Sequence, residues 1–200
     1  VKSNSKKLRV AVLGASGYTG AELIRLLSCH QKVDLTLLTS ERYAGKDIGQ
    51  VFPQLGRLGL PTLCKIEEVN WEKTDIDVVF CALPHGTTQD VVSGLLVPEE
   101  KWSENGCHYL RYKNNNFIWG EGIKIIDLSA DFRLANFDVY EKWYGQPHRA
   151  QRLQHVALYG LTELCRDKLL ISNLIACPGC YPTTSLLPAY TINRCENNYV

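Results

Sequence analysis

The feature that most constrains this chain is a short apolar run that ends on a glycine turn and passes straight into an amphipathic helix. Leu8 to Leu13 (LRVAVL) is β-branched and apolar and halts at Gly14. The turn Gly14-Ala15-Ser16-Gly17-Tyr18-Thr19-Gly20 then opens the stretch Tyr18 to His30, with apolar residues at 23, 24, 26 and 27. That reads as a buried strand, a tight turn and a helix with one apolar face. Glycine suits such a turn because it bends sharply and lets backbone approach a pyrophosphate closely. The helix start adds free N–H groups and the positive end of the helix dipole. Gly14, Ser16, Gly17, Tyr18, Thr19 and Gly20 are therefore expected to hold a dinucleotide.

The rest of the chain repeats the rhythm. Val33 to Leu38, Asp75 to Leu83, Ile123 to Leu128 and Asn173 to Cys177 read as strands, and 87–96 and 161–169 as helices. A further helix is expected from Pro182, with proline in its first turn. Strands alternating with helices, and apolar throughout, predict an α/β fold. It is a Rossmann-like, doubly wound parallel sheet covered on both faces. The expected organisation is a loose stub over 1–7, a cofactor-binding domain over 8–178, and the start of a second α/β substrate domain over 179–200. Residues 97–122 show neither period and read as an irregular insertion.

Composition excludes other classes. Lys and Arg number 22 against 21 Asp and Glu, a net charge of +1 that gives no electrostatic hint of a nucleic-acid or anionic-membrane partner. The longest apolar runs, such as Val78 to Leu83, reach about six residues, far short of the roughly 20 that span a bilayer. The eight cysteines have no metal-ligand spacing and several sit in apolar runs, so reduced, mostly buried thiols and no metal are expected. There is no Met, even at position 1, which gives the expectation of a removed leader or an arbitrary boundary.

The end of the second strand bears on whether the dinucleotide carries a 2′-phosphate. An NAD site places an acidic residue there for the ribose 2′-hydroxyl. This chain has Thr39-Ser40-Glu41-Arg42-Tyr43, with Lys46 close behind. A hydroxyl and two cations favour a 2′-phosphate, so NADP is expected, with Ser40 and Arg42 as contacts. Glu41 stands against this, since pointed inward it would serve NAD, and Arg42 and Lys46 also suit a solvated loop. Leu83 and Pro84, followed by His85 and Gly86, leave the third strand at its C-terminal end, where cofactors lie in such folds.

Cys180 follows a Pro-Gly turn and precedes a helix. A thiolate at a helix N-terminus is stabilised by the dipole, which is how a nucleophilic cysteine is prepared. A buried, inert thiol is the alternative. Cys177 makes a C-x-x-C with it, but the pair stands far behind the glycine turn rather than early in a small redox domain.

Six stretches in order, GASGYTG (14–20), ALPHGT (82–87), DLSADFRL (127–134), WYGQPHRA (143–150), YGLTE (159–163) and PGCYPT (178–183), resemble the N-acetyl-γ-glutamyl-phosphate reductases of arginine biosynthesis, the plant form most. The resemblance implies NADPH-dependent reduction of N-acetyl-glutamyl 5-phosphate to the semialdehyde with release of phosphate. Cys180 would form a thioester with this small acyl-phosphate substrate. It implies Arg133 and Arg149 as holders of phosphate or carboxylate, a homo-oligomer in the full-length form, and a plastid location in a plant or a cytoplasmic one otherwise. There are departures. The family's acid/base His lies downstream of the Cys, and none of His30, His85, His108, His148 and His155 matches it. Asn usually stands where Cys177 does, 97–122 is extra, and 190–200 leaves the pattern. These departures raise the alternative of a catalytically defective NADP-binding fragment. An aspartate-semialdehyde dehydrogenase-like enzyme is the other alternative, against which PGCYPT and DLSADFR argue.

Overall fold

The computed structural model describes residues 6–71, 73–96 and 123–196, with side chains to 191. The insertion expected over 97–122 lies outside the described residues, as does most of the expected stub. Lys6 and Lys7 are exposed coil.

Six strands and six α-helices follow in chain order among the described residues, with three short 3-10 helices between β2 and β3: β1 (Leu8–Leu13), α1 (Tyr18–Ser28), β2 (Val33–Thr39), β3 (Val78–Cys81), α2 (Thr88–Leu96), β4 (Lys124–Asp127), α3 (Phe137–Tyr144), α4 (Gln151–Gln154), β5 (Leu158–Tyr159), α5 (Thr162–Ile171), β6 (Leu174–Ala176) and α6 (Cys180–Glu196). Six strands form one sheet in the order β2-β1-β3-β4-β6-β5, every pair parallel. This is the expected Rossmann-like α/β sheet. No helix among the described residues is long and apolar enough to cross a membrane.

The alternation of side chains along a strand shows why the strands are apolar throughout. Val10 and Val12 of β1 join a core with Ile24 of α1, Leu35 and Leu38. Ala11 and Leu13, between them in sequence, join the opposite core with Val91, Val92 and Leu95 of α2. Leu35 and Leu38 share a face despite odd spacing because β2 bulges. Val10 pairs with Leu35 and Ala11 with Leu37, leaving Thr36 as the extra residue.

From β1 the chain moves out to β2 and returns across β1 to β3. The two connections diverge there and open a crevice at the C-terminal ends of β1 and β3, where ligands bind in open parallel sheets. The glycine turn and Leu83 both lie there.

Five elements differ from the sequence reading. Helix α3, the short α4 and the two-residue β5 occupy a stretch in which no element was expected. Helix α3 is bounded by an Asn136 cap, whose side chain accepts from Val139 N–H at 3.0 Å, and by Gly145 at φ +69°. Strand β3 is shorter than 75–83 because Arg9 holds Asp77 at its entrance, through Nη2 to Oδ1 at 2.9 Å and backbone N–H to Oδ2 at 2.8 Å. Helix α6 starts at Cys180, two residues before the expected Pro182, and continues through Pro188.

Candidate active site

Three glycines build the turn after β1, each for a different reason. Gly14 has φ +81°, and a Cβ there would lie 2.3 Å from the carbonyl oxygen of Ala82. Only glycine lets β1 and the end of β3 come this close. A Cβ on Gly20 would lie 2.4 Å from the Gly14 oxygen, so this glycine seats α1 on the turn. Gly17 caps α1 and is exposed, and a Cβ there would meet nothing nearer than 3.5 Å. Its backbone faces open space at the helix start, the position a pyrophosphate would take. Tyr18 and Thr19 are exposed beside it, the Tyr18 ring 6.4 Å from that of Phe52.

Ser16 and Ser40 join the turn to the end of β2. Their hydroxyls lie 2.7 Å apart, and Ser40 Oγ also accepts from Tyr43 N–H at 3.1 Å. Ser40 is buried, so its hydroxyl braces the loop as well as bordering the cleft. The cleft has a volume of about 290 Å³ and is bordered by Gly14, Ser40, Glu41, Ile66, Leu83 and Val91. Its apolar walls suit a flat ring. Glu41 does line it, but its Oε1 accepts from Ile66 N–H at 3.2 Å. Arg42, next to Glu41 in sequence, is exposed, its guanidinium carbon 5.3 Å from the centre of the Tyr43 ring, with Lys46 Nζ at 5.5 Å from the same centre. Pro84, next to Leu83, is exposed. The sequence-predicted cofactor residues thus gather at the C-terminal ends of β1, β2 and β3.

Cys180 is exposed at the first position of α6. Thr183 N–H donates to the Gly179 carbonyl at 3.1 Å, which makes Gly179 the cap. The N–H groups of Cys180 and Tyr181 therefore have no acceptor within the helix, and Pro182 has no N–H to satisfy. Arg133 stands against this turn. Its Nε donates to the Cys177 carbonyl at 2.7 Å, its Nη2 to the Leu128 carbonyl at 2.8 Å, and Nη1 is 3.1 Å from where a Gly179 Cβ would be. Helix dipole and guanidinium both favour negative charge here.

Cys177 differs in kind. Burial, with the Asp127 carboxylate adding to it, pushes its thiol up to about 11. No hydrogen-bonded turn joins it to Cys180, and both are free thiols, as are the other four described cysteines.

Between the cleft and Cys180 runs Asp127 to Arg133. Asp127 accepts from Ser129 N–H and Ser129 Oγ, both at 2.8 Å, and burial pushes its carboxyl up to about 6. Ala130 N–H donates to His85 Nδ1 at 2.9 Å, which leaves Nε2 as the protonated nitrogen of the neutral ring. Arg149 forks onto Asp90 at 3.1 and 2.8 Å and reaches the Gly86 carbonyl at 2.5 Å. Both expected substrate arginines are thus held by protein acceptors, and lie on different loops. Sequence reasoning missed Asp131, Gln89 and Tyr140, which are buried together, although the first sits in a motif it singled out. Among the described residues no three His, Cys, Asp or Glu side chains group as a metal site.

Residues 9–118 match the family model of the semialdehyde dehydrogenase NAD-binding domain. The chain is 50% identical over 190 residues to the N-acetyl-gamma-glutamyl-phosphate reductase of Rhodospirillum rubrum, covering 95% of this chain and 48% of that protein. It is 44% identical over 183 residues to a protein of Arabidopsis thaliana named "Probable N-acetyl-gamma-glutamyl-phosphate reductase, chloroplastic", covering 92% and 39%. It spans less than half the length of these relatives. Aspartate semialdehyde dehydrogenase II of Vibrio cholerae, solved with ASA, shares the fold at a TM-score of 0.51 and 20% identity, over 90% of this chain and 44% of that one. With a family match across more than half of its residues, the chain belongs to the semialdehyde dehydrogenase family by its NAD-binding domain, and relatives 44% and 50% identical to it are named N-acetyl-gamma-glutamyl-phosphate reductases.

Proposed function

We propose that this chain carries the coenzyme site and the nucleophile of an oxidoreductase that converts N-acetyl-glutamyl 5-phosphate and NADPH to N-acetyl-glutamate 5-semialdehyde and phosphate. The observation that carries this reading is an exposed Cys180 at a helix start, on the same C-terminal edge of the sheet as the glycine turn. The Cys180 thiolate attacks the acyl carbon, its S–C bond forms as the C–O bond to phosphate breaks, and a thioester remains. Bound NADPH supplies the hydride that reduces it. Cys180 then departs as thiolate, for sulfur is both a good nucleophile and a good leaving group.

The roles of the other residues follow from their places. Gly14, Gly17 and Gly20 shape the pyrophosphate turn, with Ser16, Tyr18 and Thr19 around it, and Leu83 and Pro84 border the coenzyme from β3. Ser40 and Arg42 meet the 2′-phosphate. Glu41 lines the same cleft, its Oε1 taken up by Ile66 N–H, and is the residue that would instead favour NAD. Arg133 meets the substrate's anionic group through Nη1, while Arg149 reaches it only on releasing Asp90. Residues 8–178 are the coenzyme domain, and 179–200 begin the substrate domain, which fits the start of α6 at Cys180. A plastid location in a plant, a cytoplasmic one otherwise, and a homo-oligomeric full-length enzyme without nucleic-acid or membrane partners complete the proposal.

Cys180→Ser in the full natural protein tests it. Turnover should fall by about four orders of magnitude or more, as for other nucleophile deletions, while the Kd for NADPH stays within about twofold. Undiminished turnover overturns the reading.

A further inference from the structure

Asp131 is a carboxylate with no exposed surface and, among the described residues, no cation paired with it. Burying such a group is costly unless donors surround it. Here two donors come from the start of α2 and the turn before it, and a third from α3. Asp131 Oδ1 accepts from Gly86 N–H at 2.7 Å and from the Tyr140 hydroxyl at 2.9 Å, and Oδ2 accepts from Gln89 N–H at 3.3 Å. Gln89 closes the cluster: its Nε2 donates to Tyr140 Oη at 2.8 Å, and its Oε1 accepts from Arg149 N–H at 2.6 Å. Gly86, at φ +84°, holds a backbone conformation that strains any other residue, beside the movable end of the Gln146 side chain. The stretch so fixed runs from Leu83 to Asp90, and Leu83, Thr87 and Asp90 border the coenzyme cleft.

The same segment is tied to the nucleophile on its other side. Asp131 N–H donates to Ser129 Oγ at 3.1 Å, and that hydroxyl donates to Asp127. Two residues on, Arg133 holds the carbonyls of Leu128 and Cys177, the second only three residues before Cys180. Ser129, Ala130, Asp131 and Phe132 are all buried, so the span between the two sites is packed and internally bonded.

We propose that Asp131 is a positioning residue that holds the coenzyme cleft at a fixed separation from Cys180, so that it governs the hydride step and leaves acyl transfer alone. The inference rests on the reading of Cys180 as the acyl acceptor. Acyl transfer needs the thiol and the acyl phosphate only. Hydride transfer needs the thioester and the nicotinamide at reacting distance, where a displacement of about 1 Å costs on the order of a hundredfold.

The two steps separate in the full natural protein. Mixed with N-acetyl-glutamyl 5-phosphate without NADPH, it should release a burst of inorganic phosphate as the thioester forms. Asp131→Asn should keep the burst rate within about threefold and slow single-turnover NADPH oxidation by about a hundredfold. Tyr140→Phe, which removes one donor and keeps the packing, should slow oxidation less but again spare the burst. It carries the test if the Asn variant does not fold. Equal slowing of both steps, or of neither, overturns the inference while the Cys180 reading stands. A wild-type protein with no phosphate burst defeats both.

Discussion

Asp127 ends β4 with both carboxyl oxygens on Ser129, yet burial, helped by Asp131, lifts its pKa to about 6. In the unfolded chain it returns to about 3.9. Between those values the folded state binds more protons than the unfolded one, so stability falls as pH rises from about 4 to about 6 and the loss is complete above that window. Glu22 and Asp77 are lowered by Arg25 and Arg9 and run the opposite way, so the informative quantity is a difference. Chemical denaturation of wild type against Asp127→Asn should give a stability gap that changes by about 2–3 kcal/mol across pH 4 to 6. A gap independent of pH would refute the assignment. Cys180 and the glycine turn were legible in the sequence because their chemistry is local, with strand, turn and helix contiguous along the chain. Asp131 was not, since its burial comes from Gly86, Gln89 and Tyr140, which only the folded chain brings to it.

At the scale of elements, strands covered on both faces show as solid apolar runs, so β1, β2, β3, β4 and β6 could be read. Strand β5 has two residues and α4 four, too few to show any period, and the bulge at Thr36 leaves no sequence mark. Helix α3 had its signals in Asn136 and Gly145, which went unused. The junction of β1 with α1 allows a direct test of close packing. Gly14 and Gly45 share nearly the same backbone, φ +81° and +80°, but a Cβ at Gly45 meets nothing within 4 Å. Gly45→Ala should therefore cost only the conformational strain, about 1–2 kcal/mol. Gly14→Ala adds a collision with the Ala82 carbonyl and should cost about 3 kcal/mol or more, with coenzyme binding lost as well. Urea denaturation of the two variants measures the contrast, and equal losses would contradict it.

Across the whole molecule, the proposed coenzyme site draws on three strand ends and two helix starts at once, so binding there should stabilise the domain as a unit. NADPH at about a hundred times its Kd should add about 2.7 kcal/mol to the unfolding free energy. In a chain of this length that raises Tm by roughly 5–10 °C. NADH at the same concentration should give a smaller shift if Ser40 and Arg42 meet the 2′-phosphate, and an equal or larger shift would count against them. The sheet that makes such a site also governs how the chain reaches it. Because all its pairs are parallel, none can zip up from a hairpin, and no strand has a partner closer along the chain than Leu158 is to Ile175. Large loops must close before any ladder rewards them. The nascent chain should collect its sheet slowly, with bare strand edges in the meantime, and would gain most from a chaperone during synthesis.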